Sequence, residues 1–101
     1  MSEERFMAVY ILANRYHGTI YIGVTGHLVR RMYEHHLGLT PGFASRYGLK
    51  RLVWYEQHED FGIAVQRETS LKRWLRQWKI DLIEANNPDW EDLYPRFLRG
   101  M

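Results

Sequence analysis

Five residues of this chain have side chains that could together cut a phosphodiester. Tyr10 lies in the segment Val9-Tyr10-Ile11-Leu12 and Tyr21 in Ile20-Tyr21-Ile22-Gly23; Arg31 and His35 follow, and Glu68 comes further along. Hydrolysis of a phosphodiester needs a base for the attacking water and a cation for charge growing on the phosphate oxygens, and often a carboxylate that holds a metal ion. A tyrosine with an unperturbed pKa of about 10 is a weak base at neutral pH. Its phenol therefore needs a nearby cation or a metal-bound hydroxide. That requirement ties the tyrosines to Arg31 and Glu68, each of which is chemically unconvincing alone.

Each residue also has an ordinary structural explanation. Glu68 shares a helical stripe with Ala64, Leu71, Leu75 and Trp78, so its carboxylate should face the sheet. A buried charge is costly unless it is paired or bound to a metal. Either a salt bridge to an arginine of the first helix or a Mg²⁺ completed by waters and substrate phosphate would satisfy it. Arg31 can be that structural partner, or it can bind a scissile phosphate. His35 can be a surface residue at a helix end, or it can hydrogen-bond a phosphate or a tyrosine. His36, adjacent, points elsewhere, so the two make a poor chelating pair. Tyr10 and Tyr21 can both be half-buried core aromatics, and Gly23 would admit a close neighbour where a Cβ would obstruct it.

The elements that must position these residues follow from apolar spacing. Phe6 to Leu12 and Thr19 to Val24 are β-prone and flank turn residues Asn14 to Gly18, which predicts a hairpin. Thr25 can cap a helix over His27 to Leu37, where Leu28 and Met32 mark one stripe, Arg31 and His35 an adjacent one, and Gly38 a stop. Leu39 to Gly48, with Pro41, Gly42 and Gly48, reads as a loop or short irregular helix, and Leu52-Val53-Trp54-Tyr55 as a third strand. The spacing of Ala64, Glu68, Leu71, Leu75 and Trp78 predicts one long helix. A further helical piece is expected over Ile80 to Ala85, a break at Asn86-Asn87-Pro88, and a last short helix within Trp90 to Leu98. The expected class is α+β, with a small, mostly antiparallel three-stranded sheet flanked by helices.

The 101 residues predict a single domain over 1–101, and the 46% hydrophobic content predicts a folded one. The absence of cysteine excludes a disulfide scaffold and a thiolate metal site. With no signal peptide or membrane span readable in the sequence, the expectation is a cytoplasmic protein without a membrane partner. The net charge of +2 hides a polarised distribution. Arg30, Arg31, Arg46, Lys50, Arg51, Arg67, Lys72, Arg73, Arg76 and Lys79 fill the middle, whereas Asp81, Glu84, Asp89, Glu91 and Asp92 gather near the end. This suits a polyanionic partner, though solvated helix faces would look similar.

The order Ala8-Val9-Tyr10, Tyr21-Ile22-Gly23, Arg31, His35 and Glu68 resembles the GIY-YIG nuclease superfamily, in particular its small stand-alone bacterial members. The likeness runs through Gly42-Phe43, Tyr47-Gly48, Leu52 to Glu56 and Arg67-Glu68 to Leu71-Lys72, and covers about residues 6–95. Ala8 stands where the first glycine of the family name would be, a departure that bears on packing more than on activity.

The resemblance implies divalent-metal-dependent hydrolysis with Mg²⁺ or Mn²⁺. In it Tyr21, or less favourably Tyr10, is the general base, Arg31 the transition-state cation, Glu68 the metal ligand and His35 an assisting group. A family asparagine has only Asn86 and Asn87 as candidates. The leading expectation is an endonuclease on single-stranded or distorted DNA with low sequence specificity. Arg30, Arg46, Lys50, Lys72, Arg73 and Arg76 would contact the backbone, and Tyr16, Tyr47 and Trp74 are candidate stacking surfaces. The alternatives are a catalytically weak nucleic-acid-binding module of a DNA repair or processing complex, and an interaction domain whose acidic tail docks a protein.

Overall fold

The computed structural model describes residues 7–39 and 42–98. Phe6 and Pro41, included in the expected first strand and loop, lie outside them. Three strands form one antiparallel sheet: β1 (Met7–Ala13), β2 (Ile20–Thr25) and β3 (Arg51–His58), in the order β2-β1-β3. The central position of β1 explains its sequence. Every residue from Ala8 to Ala13 is buried, because both faces of the strand are covered.

One face carries Val9, Ile11, Ala13 and Ile22 against Ala64 and Leu71 of α3 (Phe61–Arg73) and Ile80 and Ile83 of α4 (Arg76–Glu84), with Trp90 closing the layer. The opposite face carries Ala8, Tyr10, Leu12 and Leu52. It packs on Leu28 and Met32 of α1 (Leu28–His36), Ala44 of α2 (Phe43–Arg46), Leu49 and Leu93, and Tyr94 of α5 (Tyr94–Leu98). A register shift between Ile11 and Leu12 pairs them with Trp54 and Leu52, which lets the neighbouring Val53 and Trp54 both join the first core. The α+β class and the three-stranded antiparallel sheet are as the sequence predicts.

Capping of α1 differs from expectation at its start and agrees at its end. The Thr25 hydroxyl accepts from the His27 N–H at 3.1 Å and forms a turn before α1, whose own N-cap His27 makes no side-chain cap bond. Gly38, at φ +71°, ends α1 as predicted. The Gly38 and Leu39 N–H groups return to the carbonyls of His35 and Glu34, closing the helix and holding His35 in its last turn.

The single long helix is corrected. Trp74 and Leu75 adopt extended ψ angles of 151° and 149°, and the chain restarts as α4 at Arg76. The physical reason is a change of stripe. A continuous helix would keep Leu75 and Trp78 inward, whereas the break turns Ile80 and Ile83 to the core and leaves Leu75 and Trp78 63% and 52% exposed. It also lets the Arg76 guanidinium donate to the carbonyls of His17 and Gly18, at 2.9 and 2.7 Å, clamping the β1–β2 turn.

The segment after α4 covers the outer edge of β3. Leu93 N–H donates to the Leu52 carbonyl at 2.8 Å, and the Asp92 carboxylate accepts from the N–H groups of Leu52 and Tyr94. Asn87, buried, donates to the carbonyls of Val53 and Glu91 and accepts from the Glu91 N–H.

Between β1 and β2, Tyr10 faces Gly23 directly across the ladder. A Cβ at Gly23 would lie 2.5 Å from the Tyr10 hydroxyl and 2.6 Å from its Cζ, so only glycine lets the ring lie there. Gly23→Ala is expected to destabilise the fold by about 1–3 kcal/mol through overpacking, and by less in a Tyr10→Leu background; equal costs in urea titrations of the two backgrounds would refute the contact. Asn87→Ala should cost about 1–3 kcal/mol by orphaning buried backbone groups, read as a lower thermal midpoint.

Candidate active site

The hydroxyl of Tyr10 is the point around which the other four singled-out residues gather. Its ring is 1% exposed, in the middle of β1. The Tyr21 and His35 rings lie 6.4 and 6.0 Å from it between centroids, and those two lie 6.4 Å from each other. The hydroxyl approaches His35 Nε2 at 3.5 Å, the long end of a hydrogen bond.

Burial raises the Tyr10 pKa above its ordinary 10.0, reinforced by the neighbouring Tyr21 and, less, by Glu68. The positive charge of the neighbouring Arg31 opposes the rise. The phenol therefore keeps its proton at neutral pH. His35 is buried too, and its pKa is lowered from 6.5 first by that burial, then by the Arg31 charge and His36, with Glu34 opposing. A neutral imidazole beside a protonated phenol makes Tyr10 the donor and His35 Nε2 the acceptor, with the histidine proton on Nδ1.

His35 is thus an interior member of the tyrosine cluster. Tyr21, on an edge strand, is half-buried and remains open to solvent. Gly23 serves the close approach of a side chain, Tyr10, rather than of a substrate backbone. Ala8 is fully buried in the core beneath this cluster, a packing role.

The charged members are paired differently from the salt bridge considered from sequence. Arg31 Nε meets Glu34 at 3.4 Å, and Arg30, four residues from the same acid, meets it at 3.5 Å. Glu68, with its side chain 15% exposed, meets Lys72 at 3.2 Å. Glu34 is a participant that the sequence reading missed, although its i+3 and i+4 spacing from the two arginines carried the signal.

A cavity of about 190 Å³ lined by Thr25, His27, Arg30, Arg31 and Glu34 opens at the start of α1. A larger one, about 530 Å³, lies among Arg51, Asp89, Glu91, Asp92, Pro95 and Arg96 and contains none of the five residues. The chemistry follows the tyrosine cluster, not cavity size.

Of the other cations, Arg46, Lys50 and Arg73 are exposed, Lys72 is shared with Glu68, and the Arg76 guanidinium is engaged by the β1–β2 turn. Tyr16 stacks on His17 at 4.1 Å, and Trp74 is half-buried against the core with Arg67 over its ring at 5.4 Å. Tyr47 is exposed and packs on Phe43, which in turn stacks on Tyr21. Asn86 is exposed, and the amide of Asn87 is occupied by backbone.

Among the described residues no group of three or more His, Asp or Glu side chains converges to hold a metal. The donor set offered is a single carboxylate, Glu68, with an oxygen not used by Lys72. That fits a hard, well-hydrated ion such as Mg²⁺ or Mn²⁺, which takes its remaining ligands from water and substrate phosphate, and it does not fit zinc or calcium.

Residues 6–81 match the model of the GIY-YIG catalytic domain. No curated protein and no solved structure matches the chain. The matched span is well over half of the chain and takes in both tyrosines, Gly23, Arg31, His35 and Glu68. With the three-stranded sheet and the tyrosine cluster in place, the chain belongs to the GIY-YIG family and is a nuclease-type domain acting on nucleic acid.

Proposed function

We propose that the protein is a divalent-metal-dependent endonuclease that hydrolyses DNA, favours single-stranded or distorted strands and has little sequence specificity. The observation that carries this reading is the gathering of Tyr21, Arg31, His35 and Glu68 around one buried tyrosine hydroxyl. Nucleases of the family generally depend on a divalent metal. Glu68 would hold it, and the ion would supply charge neutralisation at the phosphate and the departing oxygen.

Tyr21 is the better base. It stands open to solvent, whereas burial keeps the proton on Tyr10. Its hydroxyl orients the attacking water, gives its own proton to the bulk solvent it faces and takes the water's proton in its place. Arg31, swinging from Glu34, binds the non-bridging phosphate oxygens as the fifth bond forms. Tyr10 and His35 hold these groups in place through their hydrogen bond. Arg30, Arg46, Lys50, Arg73 and, once released by Glu68, Lys72 are contacts for phosphates, which position a strand without reading its sequence.

The pairing of Arg31 with Glu34 and of Glu68 with Lys72 favours a second reading, a nucleic-acid-binding module with weak turnover. Labelled single-stranded, branched and duplex DNA incubated with Mg²⁺ or Mn²⁺ separates the two. The nuclease should cleave the first two in preference, and Arg31→Ala or Glu68→Ala should lower the rate by about 100-fold or more. Wild-type cleavage no faster than that of Glu68→Ala would sink the nuclease reading. Salt-dependent binding that survives both substitutions would then support the module.

His35 gives a pH signature. Well above the ordinary histidine pKa of about 6.5 the imidazole is neutral in folded and unfolded chains alike. Below that, the unfolded chain takes up a proton that the folded one resists, so stability through this group falls with falling pH. In urea titrations the stability advantage of wild type over His35→Gln should shrink from about pH 7 to about pH 5. A constant advantage would show that the buried histidine is not the titrating group.

A further inference from the structure

α2 and the residue that caps it, Tyr47, present two large rings to solvent beside the tyrosine cluster. Phe43 and Tyr47 are 48% and 50% exposed. The Phe43 ring lies 6.4 Å from that of Tyr21 with 24° between their planes, and the Tyr47 ring lies 4.7 Å from Phe43 at 46°. The three rings make one row that begins at Tyr21 and ends in solvent.

The row has a fixed footing. Ala44, the residue between turns, is buried with Leu49, Met32 and Leu28, so α2 cannot roll without breaking that core. Phe43 and Tyr47, four residues apart, share a helical face, and Arg46 lies on the neighbouring stripe. From Gly42 to Tyr55 the sequence holds Arg46, Lys50 and Arg51 and no acid. Exposed rings in a cationic segment suit a partner with flat apolar faces on an anionic backbone, the chemistry of an unpaired nucleic-acid strand.

We propose that Phe43 and Tyr47 form a stacking platform for an unpaired nucleobase next to the phosphate held at Tyr21 and Arg31, with Arg46 and Lys50 neutralising the backbone that leads to it. The proposal rests on the nuclease reading for its placement and adds a cause for substrate choice. A base inside intact duplex has both faces covered by its neighbours, so only a single-stranded, frayed or mismatched position can deliver a face to Phe43. The platform thereby selects strand state without hydrogen bonds to base edges, and so without sequence preference.

The test uses Phe43→Leu/Tyr47→Leu, which keeps apolar bulk and removes the π faces, and Phe43→Trp/Tyr47→Trp, which enlarges them. Two readouts apply: cleavage of a single-stranded oligonucleotide with Mn²⁺, and quenching of a 2-aminopurine in the same oligonucleotide in EDTA, where nothing is cut. The leucine variant should lose about 5- to 150-fold in single-strand affinity, the range of one base–aromatic stack, mostly through KM, and should lose the quenching. The tryptophan variant should bind at least as tightly as wild type. If wild type and the leucine variant cleave and quench alike, the platform is refuted and the nuclease reading stands. If neither cleaves but wild type alone quenches, the platform stands and the nuclease reading fails. Should the leucine variant fail to fold by circular dichroism, the tryptophan variant decides: weaker quenching and weaker affinity than wild type would overturn the proposal, and quenching and affinity at or above the wild-type level would uphold it.

Discussion

A tyrosine ring laid against a glycine on the neighbouring strand is the contact around which this fold is arranged. Tyr10 occupies the centre of the central strand, and the Cβ that Gly23 lacks would collide with its hydroxyl and Cζ. A phenol placed there must find partners, because a buried hydroxyl without one is expensive. His35 on α1 supplies the hydrogen-bond partner, and the charge of Arg31 on the same helix lies beside it. α1 is held in that position by Leu28 and Met32 and terminated at Gly38, which leaves His35 as the last buried residue of the helix. The same desolvation that demands these partners keeps the proton on Tyr10. On the proposed reading the base is therefore the half-exposed Tyr21.

The ion pairs around this cluster are of a different kind. Arg31 with Glu34 and Glu68 with Lys72 are local helical pairs between partly exposed side chains, at 3.4 and 3.2 Å. Such pairs contribute about 0–1 kcal/mol, far less than a bidentate contact to phosphate or a carboxylate–metal bond can return. They hold the side chains near their working positions while costing little to exchange. The rigid part of the site is therefore the apolar and hydrogen-bonded part, and the exchangeable part is the charged one.

Much of this was legible from residue types and spacing. Alternating β-prone segments around a turn specify the hairpin, and the pair Arg31 and His35 at i and i+4 specifies one helix face toward it. The rest depended on tertiary choices that a local period does not encode. The stripe Ala64, Glu68, Leu71, Leu75 and Trp78 satisfies a helix as well as the real arrangement does. Only the competition from Ile80 and Ile83 for the core, and the reach of Arg76 to the β1–β2 turn, breaks it at Trp74. His35 reads equally well as a surface residue until the position of Tyr10 is known. Phe43 carries no local signal at all, because its meaning comes from the ring of Tyr21, which lies on another element.

The acids near the end of the chain illustrate how tertiary context reassigns a charge. As a block they suggest a docking tail, yet the Asp92 carboxylate accepts two backbone N–H groups at the β3 edge, and Glu84 accepts from the Trp90 indole and from His17. These contacts hold down the segment that shields the outer edge of β3, while Asn87 ties it to Val53. β2, the other edge of the sheet, has no such cover from this segment and carries Tyr21. The sheet is thus sealed along one edge by groups that have no part in the tyrosine cluster. The opposite edge strand carries Tyr21, the base of the proposed reading. The hydrogen bonds of Asp92 and Asn87 and Tyr21 of the tyrosine cluster thus lie on opposite sides of β1, with Tyr10 on the strand between them.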